Sequence, residues 1–189
     1  MHIIAGQRRG AQLFAPKGMD TRPTQAKVKE SLFSIIQLYV PDARVLDLFA
    51  GSGSLALEAV SRGASFAVMV DMDREAQNCI RRNVEKLRFE ERTQLLRTDW
   101  KQAVSQLRGT EPFDLVFLDP PYRMTELPEC CAALADAGLL AEDAMLVLEH
   151  RTGVFAPPDE RFELFRERAY GDTEIHFYLY SGKEGEQQV

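Results

Sequence analysis

The sequence has few of the features that would place it outside the ordinary globular proteins. Among its 189 residues there are only three cysteines, Cys79, Cys130 and Cys131, too few and too irregularly spaced for a disulfide framework or a zinc site. No window contains the roughly 18 apolar residues of a membrane helix, and the first residues lack the apolar run of a signal peptide. We therefore expect a cytoplasmic protein with no membrane span and no bound metal.

The overall composition is that of a folded domain. Hydrophobic residues make up 45% of the chain and charged residues 28%, which excludes intrinsic disorder, collagen and coiled coils. A chain of this length suits one α/β domain that buries a sizeable core without covalent cross-links.

The formal net charge of −6 conceals an uneven distribution of charge. Residues 1–30 contain six basic and two acidic residues, whereas residues 110–189 contain six basic and seventeen acidic residues. This separation is typical of a protein whose basic end meets a polyanion and whose acidic end keeps it soluble. A chance clustering of charges on a solvated surface would give the same pattern, and the composition does not separate the two.

The hydrophobic pattern divides the chain into a basic arm over residues 1–24, a domain over 25–182 and a disordered tail over 183–189. In the arm, Ile3–Ala5 and Gln12–Phe14 are expected to pair as a small hairpin. The domain alternates helices with strands and ends in an antiparallel hairpin. Helices are predicted over 25–39, 54–61, 73–87, 101–107 and 128–137, and strands over 44–49, 66–70, 93–97, 113–118, 144–149, 162–168 and 174–180.

This alternation predicts an α/β fold with a mostly parallel sheet and helices on both faces. Ligands of such sheets bind at the carboxyl ends of the strands, near the point where the strand order reverses. The residues that follow each strand are therefore the first candidates for a functional site.

The first strand runs into Asp47 and then a glycine-rich turn with Gly51 and Gly53. Glycines allow a ligand to approach the backbone closely, and the start of a helix follows them. A purely structural turn or a dinucleotide site would also use such glycines. The carboxylate of Asp47 suits a ligand that carries an ammonium group better than one that carries a pyrophosphate.

Two further carboxylates follow the second and third strands. Asp71 lies 24 residues after Asp47, at a position where an acidic residue accepts hydrogen bonds from ribose hydroxyls. Asp73 is the expected N-cap of the next helix. Asp99 could bind the amino group of an adenine or cap the helix that begins near Trp100. Together the glycines and Asp71 favour a ligand that contains adenosine.

The fourth strand ends in Asp119-Pro120-Pro121-Tyr122. Two prolines fix the backbone and remove two amide donors, so the carbonyl before them keeps one direction. A carboxylate, a fixed carbonyl and an aromatic ring form a suitable site for a planar group with an NH₂ substituent. A simple turn with a half-buried tyrosine is the alternative, but the position behind an adenosine site favours the amine pocket.

Taken in order, these motifs resemble the S-adenosylmethionine-dependent methyltransferases that modify exocyclic amino groups. The N-terminal motifs narrow the resemblance to the RsmD family of bacterial 16S ribosomal RNA guanine-N2 methyltransferases, and the similarity runs from about Ile3 to Tyr180. The segments that carry it are Ile3–Gly6, Arg8–Gly10, Thr21–Thr24, Val28–Phe33, Asp47–Gly53, Asp71 and Asp119–Tyr122. The acidic C-terminal part is unusual for an enzyme that acts on RNA.

The resemblance implies a Rossmann-like class I methyltransferase with a seven-stranded sheet, and S-adenosylmethionine as the cofactor, with S-adenosylhomocysteine as product. In that family the residues matching Asp47 and the turn from Gly51 to Gly53 hold the methionine part of the cofactor, with Phe49 in the same site. The residue matching Asp71 binds the ribose, and the one matching Asp99 binds the adenine edge.

For the reaction, the resemblance implies that Asp119 and the Pro120 carbonyl accept hydrogen bonds from guanine N2 while Tyr122 stacks on the base. The implied partner is 16S rRNA, within an assembling small subunit, and the protein is expected to be a monomer. The candidate phosphate-binding residues are the cations of the arm and the first helix, Arg8, Arg9, Arg22, Lys27 and Lys29.

Three other functions remain open at this point. A DNA or RNA methyltransferase acting on adenine N6 or cytosine N4 would use the same pocket, although DNA enzymes usually need an additional recognition domain. A nicotinamide-dependent oxidoreductase has no use for Asp-Pro-Pro-Tyr. A non-catalytic RNA-binding module would have no reason to retain Asp47, Asp71 and Asp119.

The three histidines, His2, His150 and His176, are scattered in the sequence and suggest no metal site.

Overall fold

A computed structural model describes residues 1–16, 23–121, 124–153 and 158–182. Within them, strands and helices alternate between Arg44 and Arg151, and two further strands follow, as the hydrophobic pattern predicts. The helices are α1 (Pro23–Ile35), α2 (Ser54–Ser61), α3 (Arg74–Leu87), α4 (Trp100–Leu107) and α5 (Leu127–Asp136). The strands are β1 (Arg44–Asp47), β2 (Phe66–Val70), β3 (Thr93–Leu96), β4 (Phe113–Leu118), β5 (Leu140–Arg151), β6 (Phe162–Tyr170) and β7 (Thr173–Tyr180).

The seven strands form one sheet in the order β3-β2-β1-β4-β5-β7-β6. Strands β1 to β5 are parallel, and β7 runs antiparallel to both of its neighbours. This arrangement confirms the predicted α/β class and the C-terminal antiparallel hairpin. The chain proceeds from β1 outward to β3 and then returns to the other side of β1 at β4. The strand order therefore reverses between β1 and β4, where ligands of such folds bind.

Side chains alternate between the two faces of the sheet, and each face has its own core. Val45 and Leu115 belong to one cluster, which also contains buried residues of α1, α2 and α3. Their neighbours Leu46 and Val116 belong to the other, which contains buried residues of α4 and α5. In the part of the chain that the structure describes, no helix has both the length and the apolar character to cross a bilayer.

The largest differences from the predicted bounds are at α1 and β5, and the other elements differ by at most two residues at either end. Helix α1 ends at Ile35 rather than at residue 39, and a turn follows in which Leu38 is 87% exposed. Strand β5 extends to Arg151 because its last residues pair with β7, for example His150 with Glu174. Antiparallel pairing with a strand more than twenty residues away is not visible in a local hydrophobic pattern.

The N-terminal arm forms a hairpin, but its pairing differs from the prediction. Ile3 N–H donates to Ala11 O (2.9 Å) and Leu13 N–H to Met1 O (2.9 Å), so the ladder lies nearer the N-terminus than expected. The N–H groups of Ile4 and Ala5 are bound elsewhere. Helix α1 begins at Pro23, which puts the predicted boundary after residue 24 inside its first turn. The predicted disordered tail over 183–189 lies outside the described residues.

Candidate active site at the carboxyl edge of the sheet

The glycine-rich segment after β1 forms a tight turn at the point where the strand order reverses. Gly53 has a φ of 77°, in the left-handed region that favours glycine. A Cβ atom placed there would lie 2.9 Å from Met69 Sδ and 3.2 Å from Leu57 Cδ1. Gly53 N–H donates to Ala50 O at 2.7 Å, which closes the turn. The turn is therefore held against the core and leads directly into the N-terminus of α2.

Asp71 joins this turn to the end of β2. Its Oδ2 atom accepts a hydrogen bond from Gly51 N–H (2.7 Å), and its Oδ1 atom accepts one from Asp73 N–H (2.8 Å). Partial burial raises the pKa of Asp71, and these two N–H groups oppose the change. Each carboxylate oxygen can accept more than one hydrogen bond, so Asp71 can still receive hydroxyl donors from a ligand. Asp73 caps α3, as predicted.

Asp47, at the end of β1, is a buried carboxylate for which the protein supplies little compensation. The residue is 1% exposed, and within the described residues neither side-chain oxygen has a hydrogen-bond partner. Burial, with a smaller contribution from the charge of Asp71, raises the pKa of Asp47 to about 7. The backbone N–H groups of Ala56 and Phe49 oppose this shift without forming hydrogen bonds of ordinary geometry. A buried carboxylate of this kind suits a cationic ligand.

The corner after β4 places a second carboxylate near Asp47. Desolvation raises the pKa of Asp119 well above its ordinary range, and the charges of Glu149 and Asp47 raise it further. Although protein atoms surround the carboxyl group, the residue is open to solvent, which moderates the shift. Pro120 is buried, and Pro121 O accepts Met124 N–H at 2.8 Å. The corner is therefore fixed, while Asp119 stays accessible to a substrate.

Glu149 is a site residue that the sequence did not predict. It lies near the end of β5, is partly buried, and affects the pKa of Asp119 by its charge. Burial also raises the pKa of Glu149 itself. Its position two residues after Val147, on the same face of the sheet, was the available signal, but a single glutamate in an apolar strand end carries no motif.

The structure supports the capping alternative for Asp99. Its Oδ1 atom accepts Gln102 N–H (2.9 Å) at the start of α4, while the residue remains partly exposed. Phe49 is partly buried and packs against the second core cluster, as does Trp100. Tyr122, the predicted stacking residue, lies outside the described residues.

The predicted phosphate-binding residues do not all lie on the surface. Arg9 and Lys27 are exposed, and Arg22 is outside the described residues. The side chain of Arg8 already has partners within the protein: its Nε donates to Leu87 O (2.6 Å), and its guanidinium lies 5.6 Å from the Phe89 ring centroid.

Lys29 does not fit the prediction of a phosphate contact. It is 7% exposed, and its Nζ atom contacts Glu58 Oε2 (3.2 Å), His2 O (2.8 Å) and Ser54 Oγ (3.0 Å). Burial lowers the pKa of Lys29, and the charge of Glu58 opposes this. Lys29 has polar neighbours in a helical pattern, which is typical of a cation on the surface. Its burial depends instead on Glu58, 29 residues away in the sequence.

Glu58 holds the arm on α2. It is fully buried, and it accepts hydrogen bonds from Ile4 N–H (2.8 Å), Ala5 N–H (3.0 Å) and Arg62 Nε (2.8 Å). These contacts account for the unexpected register of the hairpin, because they bind the two N–H groups that the predicted ladder would have used.

Asn83, on α3, connects the arm to the glycine-rich turn. Its Oδ1 atom accepts Phe14 N–H (2.7 Å), and its Nδ2 atom donates to Phe14 O (2.9 Å) and Ser52 O (2.9 Å). The side chain is fully buried. Beside it, the guanidinium carbon of Arg82 lies 3.7 Å from the Phe14 ring centroid, and Lys86 Nζ donates to Gln12 O (2.7 Å). The arm and the basic side of α3 thus form one surface.

Two histidines that are distant in the sequence lie together, contrary to the expectation that they are scattered. The ring centroids of His150 and His176 are 4.6 Å apart. A carboxylate oxygen of Glu174 lies within 4.8 Å of a ring nitrogen of each histidine. These three residues could hold a metal ion, a combination created by the pairing of β5 with β7. Burial and the charge of His150 lower the pKa of His176.

The chain is similar to known proteins along most of its length. Residues 1–179 match the family described as Conserved hypothetical protein 95. Ribosomal RNA small subunit methyltransferase D of Escherichia coli is 35% identical over 179 residues, covering 94% of this chain and 89% of that protein. YlbH of Bacillus subtilis is 36% identical over 184 residues, covering 96% of this chain and all of that protein. The solved structure of yhhF from Escherichia coli has a TM-score of 0.87, with 33% identity and coverage of 97% and 99%.

Proposed function

Because the chain belongs to the Conserved hypothetical protein 95 family, the family of small-subunit methyltransferase D, we propose that it methylates ribosomal RNA. The methyl group comes from S-adenosylmethionine and is transferred to the exocyclic N2 atom of a guanine in 16S rRNA. The observation that carries this proposal is the pair of carboxylates, Asp47 and Asp119, at the carboxyl ends of adjacent strands. One suits a cation, and the other, on a proline-fixed corner, suits an amine.

The residues at the strand ends fit the cofactor. Asp47 would bind its ammonium group, since this carboxylate is buried and lacks hydrogen-bond partners among the described residues. The turn at Gly51 and Gly53 leaves no side chain between the ligand and the backbone. Asp71 would accept the ribose hydroxyls, and the second oxygen of Asp99 would accept the adenine amino group. When bound, the cofactor would supply a methyl group attached to a positively charged sulfur. This methyl group is readily transferred because the leaving group is a neutral thioether.

Asp119 would act on the other reactant. The lone pair of an exocyclic amine is delocalised into the base, so the free amine is a poor nucleophile. Hydrogen bonds from N2–H to Asp119 and to the Pro120 carbonyl favour a more tetrahedral nitrogen whose lone pair can attack the methyl carbon. A carbon–nitrogen bond forms as the carbon–sulfur bond breaks, and the nitrogen then loses a proton. Asp119, whose raised pKa makes it a better proton acceptor than an ordinary carboxylate, would receive that proton.

A guanine within folded RNA must leave its stack to reach this corner, and stacking on Tyr122 would offset part of that cost. The exposed cations Arg9 and Lys27, with Arg22, would hold the RNA through its phosphates. The neighbouring cations of α3, Arg82 and Lys86, extend this surface. Lys29 is no part of it, because its charge is paired with Glu58 in the interior.

We further propose that the protein acts as a monomer in the cytoplasm, on an assembling small subunit. The arm over 1–24 would be the RNA-holding part and the domain over 25–182 the catalytic part.

The experiment that tests the proposed function is methylation in vitro with labelled cofactor. Small-subunit RNA and partly assembled particles are incubated with the protein and digested to nucleosides. The expected product is N2-methylguanosine. Label on adenosine or cytidine would assign the chain to the other amine methyltransferases, and stabilisation by NAD rather than by S-adenosylmethionine in a thermal shift assay would reject the cofactor.

A further inference from the structure

Glu149 and Asp119 lie side by side on neighbouring strands. In the parallel pairing of β4 with β5, Leu118 is opposite Leu148, so Asp119, the residue directly after β4, lies beside Glu149 on β5. Adjacent strands in a sheet are about 4.8 Å apart. The two carboxylates are thus neighbours at the carboxyl edge.

Both carboxylates also lie on the same face of the sheet. Phe117 and Val147, two residues earlier on each strand, belong to the core cluster that contains Val45, and Asp47 continues that face on β1. Asp47, Asp119 and Glu149 therefore lie on one face across three neighbouring strands. Asp47 pairs with Phe117 and so lies two residues short of the level of the other two carboxylates. It is on the cofactor side of Asp119, which leaves Glu149 on the opposite side.

The electrostatics agree with this placement. The charge of Glu149 raises the pKa of Asp119, and burial raises the pKa of Glu149. Two carboxylates this close repel each other when both are ionised. A shared proton, or hydrogen-bond donors of a ligand, would reduce this repulsion. A ligand that presents several N–H groups in a row relieves this repulsion.

The nucleobases differ in what they present beside the reacting amine. Guanine carries N1–H directly next to its N2 amine, so its edge offers adjacent donors. Adenine has an unprotonated N1 next to its N6 amine, and cytosine an unprotonated N3 next to its N4 amine. A carboxylate placed beside the amine acceptor therefore accepts a hydrogen bond from guanine and faces a lone pair on the other two bases.

We propose that Glu149 is a specificity-determining residue that accepts the N1–H of the target guanine while Asp119 accepts N2–H. This inference rests on the proposed function and adds to it a reason for the choice of base. It assigns the two acceptors of the corner different tasks: Asp119 handles the reacting amine, and Glu149 distinguishes guanine from bases with an acceptor at the adjacent ring position.

The test replaces the guanosine at the methylated position of a synthetic RNA by 2-aminopurine riboside, once mass analysis of nuclease fragments has located that position. 2-Aminopurine keeps the amine but has an unprotonated N1. Single-turnover transfer is measured on both RNAs for the wild type, for Glu149→Gln and for Glu142→Gln, an exposed glutamate of the same strand. The guanosine-to-analogue rate ratio of each variant is then compared with that of the wild type, which cancels the effect of the missing O6 because that effect is common to all three proteins.

The wild type should prefer guanine by at least about a hundredfold, since a charged acceptor would face a lone pair in the analogue. Glu149→Gln, whose amide can donate to N1, should reduce this preference at least about tenfold, and Glu142→Gln should leave it unchanged. An unchanged preference in Glu149→Gln would overturn the inference.

The wild type alone provides a second measurement if Glu149→Gln does not fold: equal rates on the two RNAs would overturn the inference without any variant. Absence of transfer from the wild type to any guanine would instead reject the proposed function.

Discussion

Replacing Asp47 by asparagine should stabilise the protein while impairing cofactor binding. The fold raises the pKa of Asp47 from 3.8 to about 7, which corresponds to about 4 kcal/mol at about 1.4 kcal/mol for each tenfold change in the ionisation constant. Below pH 3.8 the carboxyl is protonated in both the folded and the unfolded state, and it costs nothing. As the pH rises through 7, the folded protein must ionise a buried group, so the full cost applies above that pH.

An asparagine avoids this ionisation but buries an amide that also lacks partners, at a cost of about 1–3 kcal/mol. We therefore expect Asp47→Asn to raise the free energy of unfolding at pH 8 by about 1–3 kcal/mol. Near pH 4, where the wild type has little ionisation cost but the amide cost remains, the same substitution should lower it by about 1–3 kcal/mol. Urea unfolding followed by Trp100 fluorescence measures this at both pH values. Asp172→Asn, at an exposed turn, is the matched control.

The same substitution should weaken the binding of S-adenosylmethionine by about 10- to 100-fold in calorimetry, because a charge-assisted hydrogen bond is lost. Wild-type affinity should itself fall about tenfold for each pH unit below 7, as Asp47 takes up a proton. Unchanged stability at pH 8 together with unchanged cofactor affinity would refute the assignment of Asp47 as the ammonium ligand.

Three further substitutions test the parts around this site. Gly53→Ala should lower the free energy of unfolding by about 1–3 kcal/mol in urea titrations, because its Cβ would meet Met69 at a left-handed φ; unchanged stability would contradict this. Asn83→Ala should cost about 1–3 kcal/mol and speed proteolysis of the arm, and an arm that stays protected would count against the link. Arg9→Ala should lower the slope of RNA affinity against salt by about one unit, whereas Arg168→Ala, in the acidic part, should not.

Local pattern was sufficient for the fold class and for the strand-end residues. Asp47, Gly53, Asp71 and Asp119 all follow strands whose apolar runs mark them clearly. The carboxyl ends of parallel strands meet at one edge of the sheet, so the sequence alone predicts that these residues lie close together. The position of Asp73 as a helix cap is equally local.

What the sequence did not disclose depends on contacts between distant segments. Lys29 has the spacing of a surface cation and is buried only because Glu58 accepts its charge. Glu149 is a candidate site residue only because it lies beside Asp119, which follows the neighbouring strand. His150 contacts His176 only because their strands pair antiparallel. Charge partners across strands and helices leave no periodic trace in the sequence.

The most direct test of the account separates transfer from cofactor binding at Asp119. Single-turnover methylation of small-subunit rRNA and calorimetric binding of S-adenosylmethionine are measured on the wild type and on Asp119→Ala. We predict that transfer falls at least about a hundredfold while the dissociation constant of the cofactor changes by less than about threefold. Loss of both together would make Asp119 a structural residue, and retention of both would remove the proline-fixed corner from the reaction.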